Sequence, residues 1–285
     1  MAERTTLRLG GPVIGEACFT DPSAAAALPD VAKKLGGTLA NLGAGSNILA
    51  GEGPLALVLV RNAMPPDISV REDDGKTAIL RANASVKLPV LLARAAKLDL
   101  AGMEGLSGIP GTVGGGVAMN AGSYGQCVAD TLTALEVVTG AGEVRRLGRD
   151  DIAFAYRSMR VPGVDDWWMI TAAEFRLAHD ALGAVTARAR ETMEKKKAGQ
   201  PVTAASAGCV FKNPSPENPA GKLLEAAGFR GKRLGGMVFS PMHANFLVNE
   251  GSGTSSEALE LMDMAKQAVF AQSGITLETE VKIWA

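Results

Sequence analysis

The chain has 285 residues, 47% of them hydrophobic, enough for one large domain or two with packed cores. A formal net charge of -1 and an isoelectric point of about 6.2 leave no basic field for nucleic acid or an acidic membrane surface. The longest apolar runs, such as Leu55 to Val60, are far too short to span a membrane, the start MAERTTLRLGG lacks a secretory apolar core, and 3 scattered cysteines with 2 histidines disfavour zinc, disulfides or a histidine-built metal site. The expectation is a reduced, soluble, cytoplasmic protein without a metal.

In chain order, Asp21-Pro22 predicts a helix start, a capping side chain ahead of a proline in the first turn. The Ala-rich helix breaks near Pro29, resumes to Leu35 and stops at Gly36-Gly37. Thr38 to Leu42 reads as a short strand leading into Gly43, Ala44, Gly45, Ser46 and Asn47, a glycine loop that in isolation would be a hairpin turn. Leu55 to Val60 and Ala78 to Ala84 read as strands, and Pro89 to Leu98 as a helix.

Gly102 to Gly125 is the densest glycine stretch, and it organises the rest. Glycine lets another molecule approach the backbone, and successive bare peptide N–H groups form an anion-binding nest. A flexible linker is excluded by the anchors Leu106, Ile109, Val113, Val117 and Met119 spread through it. The expectation is an ordered loop against a phosphorylated cofactor, shared with the loop at 43–47. A dinucleotide fingerprint would need G-x-G-x-x-G after a strand, and that spacing is missing. No G-x-S-x-G elbow marks a serine hydrolase.

Thr131 to Val138 and Glu143 to Leu147 flank a Thr139-to-Gly142 turn as a hairpin, and Trp168 to Leu177 is a further strand. Ala181 to Ala198 is a charged helix ending in Lys195, Lys196 and Lys197, lysines that complement the helix dipole. A domain boundary is expected between residues 178 and 200. Beyond it come a helix from Ala220 to Ala227, a strand near Asn245 to Val248, and a helix from Ser255 to Gln272 opened by the capping box Thr254/Glu257. Ile275 to Trp284 reads as a closing strand. Strands with occasional helices give an α+β class.

Seven blocks in register resemble one family. They are GAGSNIL at 43–49, GLSGIPGTVGGGVAMNAGSYG at 105–125, YRSM at 156–159, GCVFKNP at 208–214, AGKLLEAAGF at 220–229, HANFLVN at 243–249 and LETEVKI at 277–283. The pattern resembles the UDP-N-acetylenolpyruvoylglucosamine reductase (UDP-N-acetylmuramate dehydrogenase) family, in its shorter, type II branch. The resemblance implies a two-lobed FAD-binding region of the vanillyl-alcohol-oxidase (PCMH) type over residues 1–178, with lobes of about 1–65 and 66–178. A C-terminal α+β substrate domain would take 179–285, with the last strand returning to the active site. FAD, non-covalent because the N-terminal half has no histidine, would lie along Gly43, Ala44, Gly45, Ser46, Asn47, Ile48, Ser107, Ile109, Pro110, Gly111, Thr112, Gly114, Gly115, Asn120, Ala121, Gly122 and Tyr124.

The implied reaction takes hydride from NADPH to the flavin and then to the enolpyruvyl ether of UDP-N-acetylglucosamine-enolpyruvate, giving UDP-N-acetylmuramate for peptidoglycan. Arg157 matches the family's arginine beside the enolpyruvyl carboxylate, where a guanidinium fork suits growing charge. Glu280 matches the C-terminal glutamate thought to polarise the enolate, in its protonated form. Glu278, two residues earlier on the same expected strand face, is set aside by the resemblance alone. Cys209 stands where most members carry the serine that protonates the enolate carbon. An unperturbed thiol, with a pKa of about 8.5, is an easier donor than an alcohol, whereas most free cysteines are small core residues. Tyr156, Lys197, Lys212, Asn213 and His243 are the implied substrate contacts, with Lys222 and Lys232 as further candidates. A monomer is expected. Two alternatives are a flavin- or UDP-sugar-binding homologue without this activity, and another FAD oxidoreductase of the same fold.

Overall fold

The computed structural model describes residues 1–164 and 166–285, and the chain divides into two compact units. The larger comprises Ile14–Gly43 and Ala56–Lys195; the second comprises Met1–Val13, Ala44–Leu55 and Lys196–Ala285. This differs from a division at residue 178. Residues 1–13 and 44–55 join the C-terminal part, because Leu7, Leu9 and Leu49 are buried in the same core as Phe211, Phe229 and Leu261.

Two main sheets build the larger unit. In one, Leu55–Asn62 lies between Val13–Phe19 and a parallel strand, Thr38–Asn41. In the other, strands run in the order Val144–Gly148, Leu132–Thr139, Trp168–His179, Thr77–Asn83 and Ile68–Asp73. Thr77–Asn83 is buried almost throughout because it is interior to the sheet; its polar members are paired, Arg81 with Glu136 at 2.8 Å and the Asn83 amide with the Pro65 carbonyl at 2.8 Å. The strands Val13–Phe19 and Ile68–Asp73 escape sequence reading. Both lie at sheet edges, and their exposed positions mix Ile14 and Val70 with Glu16, Cys18, Arg71, Glu72 and Asp73, so no clean apolar alternation marks them.

The Asp21 carboxylate accepts the Ser23 N–H, as the capping signal required, but the segment it opens is a 3-10 turn, Pro22–Ala27. Helix α1, Leu28–Lys34, follows directly, with Pro29 tolerated in its first turn rather than breaking it. Helix α2, Leu88–Lys97, buries Leu88, Leu91, Leu92 and Ala95, the i, i+3, i+4, i+7 stripe of a core-facing helix. A third helix, α3 (Val113–Ala118), lies inside the glycine stretch and corrects the reading of that stretch as loop throughout. Helix α4, Ala184–Gly199, begins 3 residues after the expected Ala181.

In the second unit the strands Ser206–Cys209, Phe246–Asn249, Met237–Phe239 and Arg233–Leu234 form one antiparallel sheet in that order. Helices α5 (Ala220–Ala226) and α6 (Ser255–Ser273) pack on it. The Thr254 hydroxyl accepts the Glu257 N–H at 3.1 Å, Glu257 Oε2 accepts the Thr254 N–H at 3.0 Å, and Gly274 closes α6 at φ 70°. The closing strand is shorter than expected: only Lys282–Trp284 pairs as a strand, parallel to Ile48–Ala50.

Candidate active site

In the larger unit the glycine stretch is held from beneath by charge. Glu104, 7% exposed, accepts the Gly102 N–H at 2.6 Å and the Arg188 guanidinium at 2.6 and 2.8 Å. Burial pushes this carboxyl up, but the Gly102 amide and Arg188 outweigh it and hold it below its ordinary value. Gln126 Oε1 accepts the Gly105 N–H at 2.6 Å.

The expected nest is narrower than the glycine count suggests. The Val113 N–H donates to Val86, the Gly114 N–H to Ala84, the Gly115 N–H to the Thr112 hydroxyl and the Gly116 N–H to the Thr112 carbonyl. Three consecutive glycines therefore build the tight first turn of α3 rather than a bare anion cradle. Gly108, Gly111 and Thr112 in this stretch, and Gly43, Ala44 and Gly45 in the other, are among the described residues whose amides donate to nothing within the chain. The stretches meet within this unit at Gly43, where a Cβ would stand 2.8 Å from Thr112 Oγ1. At Gly114 a Cβ would stand 2.9 Å from that of Ala84.

A cavity of about 250 Å³ opens between them, a little under the roughly 300–1,000 Å³ of ligand pockets. Of the expected cofactor contacts, Gly43, Thr112, Gly114 and Gly115 line it. Asn41, Asn62, Ser85, Met159, Trp168 and Ile170 also line it and were missed, because strand ends carry no local motif. The cradle fits a flavin nucleotide: exposed main chain for a diphosphate, glycines where a side chain would intrude, and an apolar wall beside it.

Arg157 is fixed on the same stretch. Its Nη2 donates to the Gly122 carbonyl at 2.8 Å, its guanidinium lies 5.1 Å from the Tyr156 ring centroid, and Gly122 is the residue whose Cβ would crowd Nη1 at 3.1 Å. Asn120 anchors the turn by donating to the Ala155 carbonyl and accepting the Ala129 N–H. Asn120, Tyr124 and Arg157 all have φ between 42° and 54°, a conformation that costs non-glycine residues about 1–3 kcal/mol and concentrates at functional sites. Ser107 and Ala121 are buried; Ile109, Pro110 and Tyr124 are partly or fully exposed along the stretch.

In the second unit Cys209 and Glu280 are brought together through Val210, whose carbonyl accepts the Glu280 N–H at 2.7 Å. Both residues are half-buried. The two candidate acids separate here: Glu278 points outward to Lys212 Nζ at 3.1 Å, with its side chain 74% exposed. They do not share a strand face, because the chain at 275–281 is not a regular strand. Asn245 braces the Cys209 loop through both the N–H and the carbonyl of Phe211. Ala44, Gly45, Ser46, Asn47 and Ile48 run beside the C-terminal segment, and Asn47 bonds to Glu280 and Lys282.

Asn213 has a structural task, its side-chain oxygen accepting the Ala220 N–H at the start of α5. His243 packs edge-on to Phe246 and against Gly221, and its Nδ1 accepts the Asn245 N–H. Burial lowers its pKa, so the ring is neutral with its proton on Nε2. Lys197 and Lys222 are exposed, and Lys232 sits 4.2 Å over the Phe229 ring.

Comparison with known proteins adds the family. The profile of the UDP-N-acetylenolpyruvoylglucosamine reductase C-terminal domain matches residues 200–284, and that of an FAD binding domain matches residues 16–148. The chain is 46% identical over 283 residues to a UDP-N-acetylenolpyruvoylglucosamine reductase of Nitratidesulfovibrio vulgaris, covering 99% of this chain and 96% of the relative. It is 45% identical over 286 residues to the protein of that name from Oleidesulfovibrio alaskensis, covering 100% and 96%. Among solved structures, a UDP-N-acetylenolpyruvylglucosamine reductase from Thermus caldophilus matches with a TM-score of 0.80 at 30% identity, covering 100% of this chain and 97% of that one. The α+β architecture of an FAD-binding region and a C-terminal domain is the fold the sequence implied.

Proposed function

The chain belongs to the UDP-N-acetylenolpyruvoylglucosamine reductase family of FAD-dependent oxidoreductases, and from that premise we propose that it reduces the enolpyruvyl ether of UDP-N-acetylglucosamine-enolpyruvate to UDP-N-acetylmuramate with NADPH. The product would feed peptidoglycan precursor synthesis in the cytoplasm. No helix among the described residues is long and apolar enough to cross a membrane. The observation that carries the reading is the cradle at Gly43, Gly111 and Thr112, in a chain that also presents a strained arginine, a thiol and an acid.

When bound, FAD supplies the relay of hydride from NADPH to the terminal methylene carbon of the enolpyruvyl group. The chain's residues do the rest. Gly43 and Ala44 with Gly111 and Thr112 would hold the diphosphate through main-chain N–H groups. Arg157 is the residue for the enolpyruvyl carboxylate, its guanidinium oriented by the Gly122 carbonyl and the Tyr156 ring. Hydride addition leaves an enolate conjugated with that carboxylate, and Glu280 would stabilise it by donating a hydrogen bond. The Cys209 thiol would then give its proton to the enolate carbon, completing saturation of the ether. Tyr156, Lys197, Lys212 and His243 would meet the nucleotide sugar, His243 as a neutral donor through Nε2. Asn213, with its oxygen engaged at α5, would reach the sugar only through its amide nitrogen.

The test is NADPH oxidation by the purified yellow protein, with and without the enolpyruvyl UDP-sugar. The reading requires oxidation that depends on the sugar and a product two hydrogens richer. Oxidation indifferent to the sugar would assign the chain to another flavin-dependent reaction.

A further inference from the structure

Glu280 is an acid whose direction no regular ladder sets. Thr279 makes an isolated bridge to Phe211, and the parallel pairing with Ile48–Ala50 begins only at Lys282. Between them the Glu280 and Val281 amides both donate to the Val210 carbonyl, at 2.7 and 3.3 Å, so the register slips at the residue whose side chain matters. The opposite side of that peptide is held by a side chain. Asn47 Nδ2 donates to the Glu280 carbonyl at 3.1 Å, and the Asn47 carbonyl accepts the Lys282 N–H at 2.9 Å.

The loop carrying Asn47 is itself braced. Gly45, at φ 64°, lies so close to Arg4 that a Cβ would stand 2.0 Å from its carbonyl oxygen. The Gly45 carbonyl accepts the Thr6 N–H at 3.2 Å, and the Thr6 hydroxyl donates at 2.6 Å to the carbonyl of Ser206, on the strand that ends at Cys209. Asn47 thus projects from a rigid support toward the acid, and the same support reaches the strand of the thiol.

We propose that Asn47 is a positioning residue for the proton-transfer half of the reaction, its carboxamide setting the rotation of the Glu280 peptide and so keeping the acid beside Cys209. The inference rests on the reductase reading and departs from a role for this side chain as a flavin contact. A peptide freed at one end lets a carboxyl drift by about 1 Å, and displacements of that size cost about 100-fold in rate.

The experiment uses full-length, FAD-loaded protein with Asn47→Ala and with Asn47→Asp, the near-isosteric change that removes the donor. Three quantities are measured: the Kd for FAD by flavin fluorescence, the two half-reactions separately by flavin absorbance, and amide hydrogen exchange over residues 279–282. Expected are FAD affinity within about 2-fold of the parent, unchanged bleaching by NADPH, reoxidation by the enolpyruvyl UDP-sugar slowed about 10- to 100-fold, and faster exchange at Glu280 to Lys282. Weakened FAD binding with both half-reactions slowed together would overturn it, as would unchanged exchange. If neither variant loads FAD, the side chain serves the cofactor loop and the proposal also falls. If the parent itself is not reoxidised by the sugar, the reductase reading fails, while exchange and FAD affinity still decide what Asn47 holds.

Discussion

The two glycine-rich stretches do opposite things with the same residue. Around Gly43 to Asn47, glycine makes room for distant chain: Gly45 admits the Arg4 carbonyl and Gly43 admits Thr112. Around Gly114 to Gly116, glycine lets α3 start tightly against Ala84, and the amides of that turn are consumed inside the protein. Bare main chain is therefore a property of where a glycine's N–H points, and glycine density alone overstates it. The first stretch is a junction of three separated segments, residues 4–6, 44–47 and 280–282. The second is tied to the body of its own unit at several points, among them Val86 and Ala84 at the start of α3, Ala155 at Asn120 and Arg188 at Glu104.

The sharpest way to break the comparison is at the reacting end that the first stretch supports. Cys209→Ala is expected to slow reoxidation by the enolpyruvyl UDP-sugar about 10²- to 10⁴-fold, the usual worth of a positioned proton donor, while NADPH bleaches the flavin normally. Cys209→Ser should restore turnover. Stopped-flow absorbance checks both, and normal reoxidation in Cys209→Ala would return the thiol to a packing role.

Gly45→Ala comes next. It forces a Cβ into the Arg4 carbonyl at a left-handed φ, and a loss of about 3 kcal/mol from overpacking and backbone strain is expected, read as a lower denaturant midpoint.

Smaller is Arg188→Met, which leaves Glu104 buried without its guanidinium. Because Arg188 is 45% exposed, about 1 kcal/mol is expected at neutral pH. The Glu104 pKa is depressed in the folded chain, so its stabilising contribution is present above the ordinary carboxylate range and is lost as pH falls through the folded value. The parent and Arg188→Met should converge in acid; a difference that grows on acidification would contradict the assignment.

Gly115→Ala is the smallest effect and has the opposite sign to Gly45→Ala. Its Cβ would meet Thr112 Oγ1 at an ordinary 3.4 Å inside a helix, so the FAD-free protein should gain about 0.5–1 kcal/mol. FAD affinity should fall, because Gly115 lines the cavity. A loss of stability in the free protein would erase the distinction between the stretches.

Local chemistry carried what was legible in the sequence. The capping box of α6, the hairpin at Thr139 to Gly142 and the core strand Thr77–Asn83 follow from signals within a few residues of one another. The helix in the glycine stretch was illegible because three glycines argue against helix by propensity, and only the Thr112 cap and the Ala84 and Val86 carbonyls reverse that. The outward turn of Glu278 and the join of residues 1–13 to the C-terminal core depend on contacts across 66 and 200 positions, respectively, Lys212 to Glu278 and Thr6 to Ser206. The choice of Glu280 over Glu278 rests on family resemblance; the structure adds that Glu278 is exposed and paired with Lys212, whereas the main-chain carbonyl of Glu280 is held by Asn47.

One measurement bears most directly on the central claim that this chain couples NADPH to the enolpyruvyl UDP-sugar through its flavin. The FAD-loaded protein is mixed anaerobically with one equivalent of NADPH and then with one equivalent of UDP-N-acetylglucosamine-enolpyruvate, while the flavin absorbance is followed. The account requires bleaching in the first step and full recovery in the second, with one equivalent of UDP-N-acetylmuramate formed. A flavin that bleaches and stays bleached until air is admitted would contradict it.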